Sequence, residues 1–180
     1  MSDKSKRLAF LLRHDKDYNF NSQGWREVSD LVKNHGYTKT ELKEIVESDN
    51  KGRYEFDLTG NKIRAVQGHS IPGIDPGLEI VTPPETLYHG TSSRFINMIL
   101  SFGLHKQSRN HVHLSDDLET ARSVGERHGG RTVVIKINTK SMVEDGIVFY
   151  RSANGVYLVD RVDRKYFYDL VWSGKDGEEN

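Results

Sequence analysis

The chain has no cysteine, which excludes disulfides and thiolate chemistry and removes the commonest structural zinc ligand. It has no net charge: 26 Lys and Arg stand against 26 Asp and Glu in 180 residues, balanced also within residues 1–80. A nucleic-acid partner must therefore be gripped at a local cluster and not along a basic face. No long apolar run follows the opening MSDKSKR, so neither a signal peptide nor a membrane span is expected, and a cytoplasmic location is. Proline is scarce. Pro72, Pro76, Pro83 and Pro84 all fall in IPGIDPGLEIVTPP, beside Gly73 and Gly77, so regular structure is expected to break there and nowhere else. This predicts a first domain over 1–71, a linker over 72–84 and a second domain over 85–180. GxGxxG, GxSxG, GxxxxGK[ST] and HExxH are also missing, which disfavours a Rossmann fold, a nucleophile elbow, a P-loop and a metalloprotease helix.

What is present reads as an α+β protein. Leu8, Leu11 and Leu12 recur at helical spacing in KRLAFLLRH; REVSDLVKNHG follows as a second helix with Val28, Leu31 and Val32 inward, and Gly36 stops it. A third helix, TKTELKEIVESDN, opens on a Thr38/Glu41 capping box and turns Leu42, Ile45 and Val46 inward. RYEFDL and KIRAV then alternate as strands about Thr59-Gly60-Asn61. Three short helices and a two-stranded wing make a winged-helix pattern. Its third helix carries Lys39, Glu41, Lys43, Glu44 and Glu47, a mixed surface poorly suited to a major groove.

Beyond the prolines, TLYHGTSSRFINMILSFGL predicts a strand, a loop beginning at His89-Gly90-Thr91, and a helix with Phe95, Ile99 and Phe102 inward and Gly103 at its end. NHVHLSDDLETARSVGERHGG predicts a strand with His111 and His113 on one face, then a helix capped near Ser115 or Asp116 and stopped after Arg127-His128. TVVIKIN, GIVFYRS, GVYLVD and YFYDLVW follow as strands, giving an antiparallel lobe with no βαβ rhythm. The polar tail SGKDGEEN is expected to fray. His111 and His113 alone make a poor zinc site, with no third ligand nearby in sequence, so no metal is expected.

Several donors compatible with an anion are scattered through the first half. Arg13 and His14 close the first helix, where cations gain ~0.3–1 kcal/mol from the helix dipole alone. Arg64 alternates with Ile63 and Ala65 on a strand, and Gly68, His69 and Ser70 follow it. These residues could converge on one anion.

LLRH, IRAVQGHS, LYHGT, HVHLS, VGERHG and SANGVYL, in that order over residues 6–160, resemble the RNA 2′-phosphotransferase family. The resemblance implies a winged-helix lobe joined to an ADP-ribosyltransferase-like lobe with a split antiparallel β-sheet. It also implies NAD as co-substrate without a metal, and RNA bearing an internal 2′-phosphate, as in spliced tRNA, as the other substrate. Arg13, His14, Arg64 and Arg127 match the family's catalytic tetrad, with His69 and Ser70 beside them as further phosphate ligands. His89, Gly90 and Thr91, with His113, Ser115 and Val156, match its NAD-binding positions. Where protein-modifying relatives often carry Glu, this chain has Val156, and a glutamate there would repel an RNA phosphate. A monomer is expected. Two other readings share parts of the pattern: an ADP-ribosyltransferase acting on nucleic-acid terminal phosphates, and a non-catalytic RNA-binding module that responds to NAD.

Overall fold

Leu8, Leu11 and Leu12 lie buried along α1 (Asp3–Arg13) in the computed structural model, which describes residues 2–173. Residues 174–180, most of the tail expected to fray, lie outside the described residues. β1 (Arg26–Glu27), α2 (Val28–His35), α3 (Lys39–Ser48), β2 (Tyr54–Phe56) and β3 (Lys62–Ala65) follow, and the strands form an antiparallel sheet in the order β1-β3-β2. The core under it joins Leu8, Leu12, Leu31, Leu42 and Ile63, each fully buried, from all three helices and the sheet.

Local sequence rules account for much of this. The Thr38 hydroxyl accepts from the Glu41 N–H while the Glu41 carboxylate accepts from the Thr38 N–H, so two otherwise orphaned donors are satisfied. At the hairpin tip the Asp57 carboxylate accepts from the Thr59 hydroxyl and the Lys62 N–H, which fixes the register Glu55↔Arg64. Two expectations fail here. Arg26 and Glu27 do not begin the second helix, because their backbone pairs with Ile63 and Lys62. Val32 does not face inward; it is exposed, and Val28 and Leu31 alone fill that side of α2.

The rest of the chain forms β4 (Glu79–Val81), β5 (Thr86–Ser92), α4 (Ser93–Phe102), β6 (Leu104–His105), β7 (Val112–Leu114), α5 (Leu118–Glu126), β8 (Thr132–Asn138), α6 (Thr139–Glu144), β9 (Phe149–Arg151), β10 (Tyr157–Val159), β11 (Arg161–Val162), a 3₁₀ turn (Arg164–Tyr166) and β12 (Phe167–Ser173). Their sheets run β4-β9-β10-β7, β12-β8-β5 and β11-β6, with every pairing antiparallel. Leu87, Ile135, Ile137, Met142 and Phe149 are at the centre of their core.

Here the sequence misleads in particular ways. The proline-rich stretch holds a strand: β4 pairs with β9 at a sheet edge, a position that tolerates prolines on the flanking chain. No loop starts at His89, since β5 continues through Gly90 and Thr91 in register with β8. α4 buries Ile96 and Ile99 and leaves Phe95 and Phe102 exposed. α5 is capped by Asp117, whose carboxylate accepts from the Glu119 and Thr120 N–H groups, and not by Ser115 or Asp116. α6 is too short to show a period in the sequence.

Contacts divide the molecule into two compact units. The first comprises the described part of Met1–Leu78 with Gln107–Asn110 and Ser152–Gly155. The second comprises Glu79–Lys106, His111–Arg151 and the described part of Val156–Asn180. Asn110 ties its segment to the first unit by donating from its backbone N–H to the His69 carbonyl (2.9 Å) and from its side-chain amide to the Ile71 carbonyl (3.2 Å). Asn154 does likewise, its amide donating to the Lys51 carbonyl at 3.2 Å. No described helix is long and apolar enough to cross a membrane.

Candidate functional site

In the first unit, the end of α1 and the segment after β3 meet. The Ser70 N–H donates to the Arg13 carbonyl at 3.0 Å, one of the acceptors a helix C-terminus leaves unmet. One residue on, the Ser70 hydroxyl lies 2.8 Å from His14 Nδ1. Arg13, His14, His69 and Ser70 are thus brought together. Arg64 is held a little differently: its guanidinium donates to Glu55 Oε1 from Nε (2.7 Å) and Nη2 (2.6 Å), and lies 4.3 Å from the Trp25 ring centroid. The cross-strand partner and the indole fix its orientation.

Arg13 is the unusual member. It is nine-tenths buried, its Nε has no hydrogen-bond partner, and no carboxylate forms an ion pair with it among the described residues. Burial pushes its pKa down to about 10; the nearby charges of Arg109 and Arg53 act in the same direction, against opposing pulls from Tyr54 and from the Asp49 carboxylate, which is itself paired with Arg53. The same unit shows how a buried arginine is satisfied when its role is to hold the fold. Arg26 pairs with Asp15 and Asp30, donates to the Leu11 carbonyl, and stacks 4.1 Å from the Tyr18 centroid. A buried cation lacking such partners is costly, which makes it a candidate for an incoming anion.

Sequence reasoning missed Arg109. It belongs to the first unit, its charge is felt by both Arg13 and His14, and Nη1 would lie 2.7 Å from a Cβ placed on Gly68. Sequence offered no signal for it, because Gln107–Asn110 reaches His69 across about forty residues of chain.

The two histidines are held neutral. His69 is 2 % exposed, and burial, reinforced by Arg13, His14 and Arg64, pushes its pKa down to about 4. His14 is lowered by burial first and then by Arg109 and Arg13. An unfolded histidine protonates near pH 6.5, whereas folded His69 refuses the proton until about 4, so stability is complete above 6.5 and is lost as pH falls toward 4. The loss expected from His69 is on the order of 3 kcal/mol. Urea midpoints measured between pH 7.5 and 4.5 should fall more steeply for the native protein than for His69→Gln; parallel slopes would show that His69 is not held neutral.

The second unit holds the other expected residues. His89 Nδ1 lies 3.2 Å from the His113 carbonyl oxygen, which can only accept, so the proton is on Nδ1. Burial lowers the ring's pKa, partly countered by that hydrogen bond. Nε2 is left as an acceptor, suited to a ribose hydroxyl. Tyr88 and Ser115 exchange backbone hydrogen bonds of 2.8 and 2.9 Å, bringing β5 beside the end of β7. Gly90 lets α5 approach β5: a Cβ there would collide with the carbonyl of Ala121. Thr91 is buried, and Val156 directly precedes β10, which pairs with β7. Arg127 ends α5 with its side chain exposed. His111 packs edge-on against Tyr150.

A buried guanidinium without an ion pair among the described residues, beside imidazole and hydroxyl groups, is an arrangement suited to an anion. A family model described as RNA 2′-phosphotransferase, Tpt1 / KptA family, matches residues 1–161. Relatives described as probable RNA 2′-phosphotransferases include one from Acaryochloris marina, 42 % identical over 174 residues, covering 92 % of this chain and 95 % of the relative. One from Nostoc punctiforme is 46 % identical with the same coverage, and one from Fusobacterium nucleatum is 38 % identical, covering 88 % of this chain and 93 % of the relative. The chain belongs to the RNA 2′-phosphotransferase family.

Proposed function

We propose that this protein removes an internal 2′-phosphate from RNA by transferring it to NAD. The carrying observation is Arg13, buried without an ion pair among the described residues and with its Nε unpartnered, beside His14 and Ser70 in a chain of this family. The order α1-β1-α2-α3-β2-β3 supports reading the first unit as a winged helix, and the antiparallel sheets of the second support reading it as an ADP-ribosyltransferase-like lobe. Arg13, His14, Arg64, His69 and Ser70 bind the phosphate. When the Ser70 hydroxyl donates to His14 Nδ1, the imidazole proton is on Nε2, so His14 serves as a neutral donor to the anion. His89, Gly90 and Thr91, with His113, Ser115 and Val156, bind NAD, His89 Nε2 accepting from a ribose hydroxyl.

The RNA 2′-phosphate is already an anionic nucleophile. Its oxygen attacks the anomeric carbon of the nicotinamide ribose, the C–N bond breaks, and nicotinamide leaves. The adjacent 2″-hydroxyl then attacks phosphorus and the bond to the RNA 2′-oxygen breaks, giving RNA with a 2′-hydroxyl and ADP-ribose 1″,2″-cyclic phosphate. Arginines stabilise the charge that develops on phosphorus. Incubated with NAD, EDTA and a short oligonucleotide bearing one internal 2′-phosphate, the protein should release nicotinamide and dephosphorylate the RNA. A phosphate that survives in the presence of folded protein overturns the proposal.

Arg127 should act late, on a phosphate already joined to ADP-ribose. Arg127→Ala is expected to slow the second step by ~10²–10³ and the first far less, so that ADP-ribosylated RNA accumulates as a slower band on a denaturing gel. Uniform slowing without that band would refute this division of labour. Arg127→Lys keeps the charge but loses the guanidinium fork, and should restore little.

A further inference from the structure

Arg64 sits on a strand, and its neighbours decide which of its N–H groups a ligand can still use. A guanidinium donates along two paired edges: a side edge formed by Nε and Nη2, and a terminal edge formed by Nη1 and Nη2. In Arg64 the Nε and Nη2 groups both donate to Glu55 Oε1, at 2.7 and 2.6 Å, so the side edge is filled. The terminal edge makes one long contact, from Nη1 to the Gln23 carbonyl at 3.3 Å. The Trp25 ring centroid lies 4.3 Å from the guanidinium carbon and holds the plane from one face. Among the described residues no other acceptor meets this guanidinium, so its terminal edge is left for a ligand.

Register puts Glu55 in that position. It pairs with Arg64 across β2 and β3, between Tyr54↔Ala65 and Phe56↔Ile63, and the Asp57 carboxylate at the hairpin tip locks the pairing. A slip of one residue would turn Glu55 to the opposite face of the sheet, away from Arg64. The ion pair itself adds little to the fold, because the Glu55 side chain is 36 % exposed and pairs so open to water are weak. Its charge also opposes an incoming anion, since it offsets part of what Arg64 would offer. What Glu55 supplies in return is direction.

We propose that Glu55 is a positioning residue: it occupies the side edge of Arg64 and thereby aims the terminal edge at the RNA 2′-phosphate, with Trp25 keeping the plane. This rests on the phosphotransferase reading, in which Arg64 binds that phosphate. Two parallel N–H groups then meet two phosphate oxygens at once, an arrangement that depends on angle as much as on charge. A fork already aimed needs no rearrangement as negative charge develops on phosphorus, whereas a freed guanidinium would have to be oriented in every turnover.

Three variants separate direction from charge. Glu55→Ala frees the side edge, and kcat for phosphate removal should fall ~10-fold or more while KM for RNA and KM for NAD do not rise. Glu55→Gln keeps an accepting oxygen and drops the charge, so it should recover most of kcat. Glu55→Asp keeps the charge but draws the oxygen back by one methylene, so it should resemble Glu55→Ala. Combined with Arg64→Lys, which has no fork to aim, Glu55→Ala should cost nothing further in long single-turnover incubations, whereas a merely structural Glu55 would give losses that add. If Glu55→Ala folds poorly in thermal melts, the contrast of Glu55→Gln with Glu55→Asp carries the test. Full turnover in Glu55→Ala, a Glu55→Gln no better than Glu55→Asp, or losses that add with Arg64→Lys overturns this proposal alone. A native protein that leaves the 2′-phosphate in place overturns the phosphotransferase reading.

Discussion

Arg13→Met should raise the protein's stability while lowering phosphate removal by at least ~10², the loss typical of one preorganised charge-stabilising donor. The two effects have one cause. Methionine keeps much of the apolar stem that α1 packs, but removes a cation whose pKa is pushed down to about 10 by burial and by its cationic neighbours. Relief of that electrostatic cost is worth roughly 1–3 kcal/mol after allowance for the lost guanidinium contacts. Thermal melts and single-turnover assays on one preparation would show both. Arg26→Met is the contrast: it strands Asp15 and Asp30 without their partner and should destabilise by roughly 3 kcal/mol. If Arg13→Met melts below the native protein as Arg26→Met does, Arg13 belongs to the fold and not to the site.

Gly90→Ala should cost at least as much stability as Arg26→Met. A Cβ on Gly90 would overlap the Ala121 carbonyl and come within 3.0 Å of the Gly125 N–H, both of them backbone of α5. No rotamer change relieves a clash with helix backbone, so α5 must move away from β5 or β5 must part from β8, whose pairing runs through Gly90↔Val134. Overpacking of a tight interior commonly costs 1–3 kcal/mol, and a backbone clash should cost ~3 kcal/mol or more. Urea unfolding, or failure to recover soluble protein, measures it. Native-like stability in this variant would mean that the close approach of α5 and β5 does not exist. Gly90 thus has a structural reason to be glycine alongside the nucleotide-binding role proposed for it.

These two residues also mark where sequence stops being informative. The Thr38/Glu41 capping box and the hairpin about Gly60 were legible because each is closed by groups a few residues apart. The face of α4 is ambiguous in the sequence, since Phe95, Ile99 and Phe102 share helical spacing as well as Ile96 and Ile99 do, and only packing against the sheets decides between them. His89-Gly90-Thr91 looked like a loop because glycine usually punctuates, whereas here it admits a helix that the sequence could not place. In the candidate site, Arg13, His14 and Arg64 could be named from their motifs, but the unpartnered Nε of Arg13 and the arrival of Arg109 depend on which side chains meet after folding.

The return of Gln107–Asn110 and Ser152–Gly155 to the first unit has a consequence for how the protein is made. As the ribosome releases the chain, everything up to Leu78 emerges first, yet the His69 and Lys51 carbonyls wait for Asn110 and Asn154. At typical elongation rates of 5–20 residues per second, that wait lasts several seconds. The unit that begins first is therefore finished only after most of the second has been synthesised, and a gene fragment stopped at Leu78 encodes the early arginines without the chain that completes their setting.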